Sequence, residues 1–423
     1  MSIEEINAKV DKLLVNNYLV FDGEFEAFTP WWGGNELGYT FYPQPHYPEP
    51  KEIIGKTKWT IRTFCGSVPE KLGISEKTAS TVKVSVSVVK QGEMYFDKIP
   101  NIDEMLKKNE EMGKKKSNYI SLLNEMREEG YRLLFPSYIP ARSSRLSKEF
   151  SGLYKLLAIP RFYLKAMGRK ERKPSENIQE VFRSQPMKPG FKIRIRVFGK
   201  DKEVSKLFVN AMLITLKYLG IGSAANRGFG RFKLTNVNHA IEGIEKNVDI
   251  TKGTVIGCKS GGSSSFPSFP SPKDIRVIKP VHAYIRGNKY QAKDIEGILA
   301  AIGISTLKST WKSVCHNLKG SGRDYHTWVL GLPREVSGRG YISKNGELRR
   351  QSYIVISPTE DLGVMLLPFY AEDYINKIYH SDHGQVEVTK ISRAKPDCST
   401  VSPSQIIKDH IDLALDWLEE ILG

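Results

Sequence analysis

A loop with four glycines, GIGSAANRGFG at 220–230, joins a long apolar helix pattern to a strand pattern. That order constrains the fold more than any other feature of the chain. Residues 202–219, KEVSKLFVNAMLITLKYL, carry the helical period behind Asp201, a side chain suited to capping the first turn. The second half of the run is apolar nearly all round, which predicts a buried helix. Beyond the loop, Arg231 to Val237 reads as a short strand. GIGSAA has the letters of a dinucleotide fingerprint. A true fingerprint follows a strand and opens a helix, because the pyrophosphate rests on the helix N-terminus. Here the helix comes first, so the Rossmann reading is rejected. Gly55-Lys56-Thr57 has the letters that end a P-loop, but Pro50 stands where that loop needs its first glycine.

Strand patterns surround this unit. YLVFDGEFEAFT at 18–29 reads as a strand stopped by Pro30, and 41–50, with four prolines, as a loop. STVKVSVSVV at 80–89 places Val82, Val84, Val86 and Val88 on one face, as in a half-buried strand. FKIRIRVF at 191–198 alternates Phe191, Ile193, Ile195 and Val197 with Lys192, Arg194 and Arg196, predicting a strand with a basic exposed face. Residues 98–190 between them read as a charged helical insertion, and 161–196 hold eleven Lys/Arg against three acids.

GGSSSFPSFPSP marks a linker or mobile loop. The expected organisation is a first domain over 1–250, a linker over 251–274 and a second domain over 275–423. In the second, 275–286, 326–332, 352–357 and 363–370 read as strands, and 291–318 as two helical stretches parted near Gly303. The chain ends in an amphipathic helix with Ile407, Ile411, Ala414, Leu415, Leu418, Ile421 and Leu422 in one stripe. Strands, helices and more strands in both halves, without a βαβα series, indicate an α+β fold with helices on one face of antiparallel sheets. The ferredoxin-like, or RRM-like, unit is the commonest design of that kind, and its sheet face often binds RNA.

Charge narrows the partners. The 423 residues carry 63 Lys+Arg against 47 Asp+Glu, a formal net charge of +16. Polyanions, nucleic acid foremost, are the natural ligands of such a surface. No run of 18 apolar residues exists and the N-terminus lacks a signal-peptide pattern, so a cytoplasmic protein without a membrane span is expected. Cys65, Cys258, Cys315 and Cys398 lie far apart without a CxxC pair, which argues against a zinc ribbon or a disulfide framework. His380 and His383 have the spacing of two ligands on a helical turn, but no further ligand can be placed beside them, and no metal or cofactor is expected.

The glycine loop has the chemistry of a phosphodiester site. Gly220, Gly222, Gly228 and Gly230 let the backbone turn and a ligand approach, while Ser223, Asn226, Arg227 and Arg231 supply hydroxyl, amide and guanidinium donors. A helix C-cap accounts for Gly220 alone. Phe229 and Phe232 are read as core.

A helix followed by a glycine-rich loop of this spacing, late in a ferredoxin-like domain, resembles the RAMP proteins, the repeat-associated proteins of CRISPR systems. TPWWGG at 29–34 is similar to the element that ends their first strand. GKTKWTIRTFCGS at 55–67 is similar to the following helix and its FGS-like turn, with Cys65 inserted. The loop itself departs from the family pattern at Ala225, where a basic residue is usual. YHTWVLGLPR, Gly338-Arg339-Gly340 and Leu348-Arg349-Arg350-Gln351-Ser352 resemble the carboxyl-terminal RAMP unit.

The resemblance extends to the large two-domain subunit at the guide-RNA 3′ end of Cmr-type (type III-B) complexes. It implies two ferredoxin-like domains, with a helical basic insertion in the first, in a non-catalytic RNA-binding subunit. Its partners would be CRISPR RNA, target RNA and other RAMP subunits. Phosphate contacts are expected from Lys58, Arg62, the loop residues, Arg323, Arg339, Arg349 and Arg350. Trp31 and Trp32 are expected to stack on bases or to contact a neighbouring subunit. The rival readings are a metal-free endoribonuclease with His326 as general base and a basic scaffold that binds only protein.

Overall fold

The computed structural model describes residues 18–35, 39–41, 43–73, 80–94, 183, 186–253, 256, 267–285, 288–306, 327–331, 334–336, 339–342, 352–370, 377–380, 384–387 and 403–423. The expected basic insertion lies almost wholly outside the described residues.

The first half runs β1 (Leu19–Ala27), α1 (Pro50–Cys65), β2 (Val82–Lys90), β3 (Lys192–Gly199), α2 (Lys202–Ile214) and β4 (Phe232–Ala240). Its strands form one antiparallel sheet in the order β2-β3-β1-β4. The alternation of β3 decides the two faces. Ile193, Ile195 and Val197 are buried in one core with Phe21 and Phe25 of β1, Ile53 and Ile61 of α1, and Phe208 and Met212 of α2. Helix α1 opens with Pro50 and a capping box, in which the Glu52 carboxylate accepts from the Glu49 N–H at 3.2 Å. It stops at Gly66, whose left-handed φ of 73° lets its N–H close onto the Arg62 carbonyl. In α2 the Asp201 side chain caps the amides of Glu203 and Val204, both at 3.1 Å, as the sequence predicts. The helix widens into a π turn over Thr215–Leu219 before the glycine loop.

β2 departs from its pattern. Val82 is buried, but Val88 is 42% exposed. The strand is an edge, paired only with β3 among the described residues, so half of its alternation has nothing to pack against.

The second half contains β5 (Arg276–Ile278), β6 (His282–Ile285), β7 (Asn288–Gln291), α3 (Ile295–Ser305), β8 (Arg334–Val336) and β9 (Arg339–Ile342). After these come β10 (Ile354–Pro358), β11 (Val364–Pro368), β12 (Lys377–His380), β13 (Gly384–Glu387) and α4 (Pro403–Leu422). Its described strands form three sheets, β10-β11-β5, β13-β12-β9-β8 and the hairpin β6-β7. The expected strand over 275–286 is divided in two around Pro280, which has no N–H to give a ladder. The expected strand over 326–332 is instead a 3₁₀ turn, Thr327–Leu330, ended by Gly331 at φ 103°. α3 continues through Gly303 without a break. His380 pairs with Gly384 of β13 and so lies on a strand, while His383 lies outside the described residues. Helix α4 buries Ile411, Ala414, Leu415, Leu418, Ile421 and Leu422 as its stripe predicts.

The molecule is α+β with antiparallel sheets. Its two halves share their cores. Val355, Leu367 and Phe369 of the second half belong to the first hydrophobic cluster, and Phe229 of the glycine loop belongs to the second. The described end of the Gly/Ser/Pro stretch is pinned into this seam: Phe269 stacks on Phe64 at 3.9 Å and meets Phe369 edge-on at 5.6 Å. No helix among the described residues is long and apolar enough to cross a membrane.

Candidate nucleic-acid interface

Two of the three segments that carry the family resemblance in the first half come together. The glycine loop lies on the TPWWGG segment through three hydrogen bonds. The Ser223 N–H donates to the Trp32 carbonyl at 2.5 Å and the Gly230 N–H to the Pro30 carbonyl at 2.8 Å. The Arg231 N–H donates to the Thr29 hydroxyl at 2.9 Å. Ile221 N–H to Gly230 carbonyl, 3.1 Å, closes the loop at its neck. Between these anchors Gly222 and Ser223 are exposed, while Ala224, Asn226 and Arg227 are partly exposed. Ala224 takes a left-handed φ of 56°, and a single 3₁₀ turn, Ala225–Arg227, follows.

Gly220, Gly222, Gly228 and Gly230 all take positive φ, as their expected role in turning the backbone requires, but their surroundings do not suit close approach of a ligand at each of them. A Cβ on Gly222 would come within 2.6 Å of the Trp32 carbonyl oxygen, and one on Gly228 within 2.8 Å of Leu299 and Pro358. Both have φ above +80°. Gly228 is buried against the second half, so it offers no approach for a phosphate. Gly220 and Gly230 are buried too, Gly220 against the Arg231 guanidinium and Gly230 against the Ile221 carbonyl. The accessible part of the loop therefore contracts to 222–227.

Arg231 is corrected as a phosphate contact. It is fully buried, with Nε donating to Ser357 Oγ at 3.1 Å, Nη1 to the Phe229 carbonyl at 2.7 Å and Nη2 toward the Ile356 carbonyl at 3.5 Å. Burial pushes its pKa down to about 9. Trp31 is corrected as a stacking residue, because it is 0% exposed and packed in the first core. Trp32 remains partly exposed and leans on Phe229 with ring centres 6.0 Å apart. Phe229 and Phe232 are core residues, as read from the sequence.

Helix α1 supplies the neighbouring cations. Lys58 Nζ donates to the Gly73 carbonyl at 2.7 Å, and partial burial lowers its pKa. Arg62, one turn on, is exposed. Lys56 was not singled out from the sequence. Its Nζ lies 4.0 Å over the Trp59 ring, and burial followed by the charge of Arg231 pushes its pKa down to about 8. The available signal was spacing: Lys56 stands three residues before Trp59 and four before Thr60, on the inward side of α1, whereas Lys58 points elsewhere. Cys65, at the end of this helix, is disulfide-bonded, whereas the spacing of the cysteines had argued against a disulfide framework. Sequence distance did not forbid it, since a disulfide needs proximity in space alone.

The basic face expected on β3 is largely neutralised by β1. Arg194 holds Asp22 with both carboxylate oxygens, at 2.7 and 2.5 Å. Lys192 and Lys233 flank Glu26 at 3.5 Å each. Burial alone would raise the Asp22 pKa, but the hydrogen bonds from Arg194 and Asn238 pull it below the usual aspartate value. Arg323, Arg349, Arg350 and His326 lie outside the described residues, as does the side chain of Arg339, whose backbone pairs with Val336.

No family model and no curated protein matches the chain. Among solved structures it is similar to Cmr1 from Pyrococcus furiosus in the apo form, at 18% identity over 83% of this chain and 87% of that one, with a TM-score of 0.39. It is also similar to a chain of the type III-B Cmr-beta complex bound to cognate target RNA and AMPPnP, state 2, in the presence of ssDNA. That likeness has 12% identity, 95% and 100% coverage and a TM-score of 0.47. A third likeness is to the Cmr-beta complex bound to cognate target RNA, with 14% identity, 94% and 100% coverage and a TM-score of 0.42. The chain is similar to Cmr-type proteins.

Proposed function

We propose that this protein is a non-catalytic RNA-binding subunit of an RNA-guided CRISPR effector of type III-B (Cmr), contacting guide or target RNA near the 3′ end of the guide. One observation supports it most. The glycine loop, whose sequence resembles the RAMP loop, is seated on TPWWGG, another RAMP-like element, and leaves Gly222, Ser223, Ala224, Asn226 and Arg227 at least partly exposed. A partly exposed arginine and asparagine on a loop with left-handed turns suit a phosphodiester backbone. The first half has the β-α-β-β-α-β order and the β2-β3-β1-β4 arrangement of a ferredoxin-like unit. In the second half the support is the resemblance of its motifs to the carboxyl-terminal RAMP unit. The +16 charge supplies the long-range attraction.

A binding series with single-stranded RNA over salt concentration tests this reading, with the RNA checked for cleavage on a gel. Log affinity is expected to fall linearly with log salt, and the RNA to remain intact with or without divalent metal. Affinity that ignores salt would remove the RNA reading. Specific cleavage lost in His326→Ala would replace it with the nuclease reading.

A further inference from the structure

One end of the first sheet gathers aromatic and basic side chains away from the glycine loop. β3 alternates, so Ile193, Ile195 and Val197 enter the core while Arg194, Arg196 and Phe198 lie on the other face of the sheet. Strand register extends that face onto β2, where Lys83 stands across from Phe198 and Ser85 across from Arg196. On the β1 side Leu19 stands across from Phe198. Tyr18 precedes Leu19 and Lys200 follows β3, so both lie at this same end, with Lys200 Nζ 5.8 Å from the centre of the Tyr18 ring. The Arg196 guanidinium lies 5.9 Å from the centre of the Phe198 ring. Both separations are at the outer reach of a cation–π contact. Tyr18 is 38% exposed, Lys83 and Lys200 are exposed, and Arg196 and Phe198 are partly so.

Charge sets this end apart from the rest of the face. Arg194 is committed to Asp22, and Lys192 and Lys233 to Glu26. Among the described residues no ion pair engages Lys83, Arg196 or Lys200. Asp22 stands across from Arg196, but it is buried and both of its oxygens accept from Arg194. Asp201, next to Lys200, is held by Lys71 and by the first amides of α2. Three cations are therefore left around two accessible rings.

We infer that this corner, formed by Tyr18, Lys83, Arg196, Phe198 and Lys200, is a second contact surface for single-stranded RNA, with bases stacked on the two rings and phosphates on the three cations. Every nucleotide of a single strand brings both a π face and a negative charge, which matches rings interleaved with cations. An acidic protein segment would engage the cations and leave the rings unused. The inference rests on the RNA-binding reading above, but not on the glycine loop. That loop is hydrogen-bonded to Thr29, Pro30 and Trp32, beyond the opposite end of β1. The nine residues of β1 separate the two places by about 30 Å.

The test measures binding of a labelled single-stranded RNA oligonucleotide to the full chain over a salt series. It compares wild type, the triple variant Lys83→Ala/Arg196→Ala/Lys200→Ala, and Phe198→Leu, which keeps apolar bulk and removes the ring. The triple variant is expected to bind at least about tenfold more weakly at low salt, with a salt slope reduced by about two units. Phe198→Leu is expected to bind about fivefold or more weakly with an unchanged slope, because stacking releases no counterions. Both variants are expected to melt within a few degrees of wild type, since the altered side chains are at least partly exposed.

Wild-type affinity and slope in the triple variant would overturn the inference and leave the RNA reading standing on the glycine loop. A reduced slope in the triple variant with unchanged affinity in Phe198→Leu would also overturn it, by showing a basic patch without stacking. Unchanged RNA binding with impaired capture of a purified neighbouring subunit would assign the corner to an acidic protein surface, which overturns it as well. Wild-type protein that binds no RNA would defeat both readings.

Discussion

Arg231 and Ser357 meet across the two halves of the molecule, with the guanidinium Nε donating to the serine hydroxyl at 3.1 Å and both side chains 0% exposed. The residue that looks in sequence like the last basic side chain of an RNA loop is the bolt that holds the loop to the second half. Its other donors close on the Phe229 and Ile356 carbonyls, so one guanidinium ties the loop backbone to β10.

Arg231→Ala is therefore expected to act on folding. It leaves buried acceptors unmatched and a void between the halves, a loss of about 3 kcal/mol or more. Ser357→Ala removes one acceptor and is expected to cost about 1–3 kcal/mol. Chemical denaturation of both variants measures this. An Arg231→Ala protein with wild-type stability would show that the bolt is idle.

The opposite behaviour is expected of Arg227 and Asn226, which are partly exposed. Arg227→Ala should weaken RNA binding across all sequences and lower the salt slope by roughly one unit, with a melting temperature within a few degrees of wild type. The double variant with Asn226→Ala should lose more. Wild-type affinity in the double variant would reduce the loop to a helix stop.

Gly228→Ala tests what the glycines are for. The added methyl would meet Leu299 and Pro358 at 2.8 Å on a backbone held at φ +95°. A loss of at least about 1 kcal/mol is expected from the backbone alone, with more from the displaced neighbours. The midpoint of a denaturant titration reports it, and an unchanged midpoint would contradict the packing described.

Lys56 gives stability an alkaline slope. Its folded-state pKa of about 8 lies below the ordinary lysine value of about 10.4. Between those values the unfolded chain binds more protons than the folded one, so stability rises with pH through that window. The penalty is fully present below about pH 8. Lys56→Met should be at least as stable as wild type at neutral pH and should show a smaller rise. Melting curves across the window decide it.

Asp22 acts at the acid end. Its folded pKa is lowered, so the stability it contributes is complete above the ordinary aspartate value of about 3.9 and is lost as pH falls through the folded value. Asp22→Asn should flatten the acid limb of the stability profile, as followed by acid titration of a folding signal. Identical acid limbs in the two proteins would remove Asp22 from the account.

Periodicity made the first half legible. The alternation of FKIRIRVF placed Ile193, Ile195 and Val197 in the core, and Asp201 caps α2 where its position before an apolar run implied. A period-two or period-3.6 pattern records which face is buried, and that information is local. The stripe of α4 was readable for the same reason. The second half was harder. HTWVLGL is as apolar as a strand, but four of its residues form a 3₁₀ turn, because short apolar runs do not distinguish the two.

The composition and motifs of the chain were enough to determine its α+β class, its net positive charge and the loop on which the functional reading centres. Tertiary structure alone decided which loop side chains face outward. Arg227 and Arg231 are equivalent by letter, and both flank Gly228–Gly230. Arg227 keeps access to solvent on its 3₁₀ turn, while Arg231 enters the seam and finds Ser357, 126 positions away in sequence. Trp31 changed roles by the same rule. A side chain's chemistry is written in the sequence, but its exposure, pairing and pKa depend on neighbours that only the folded chain brings together.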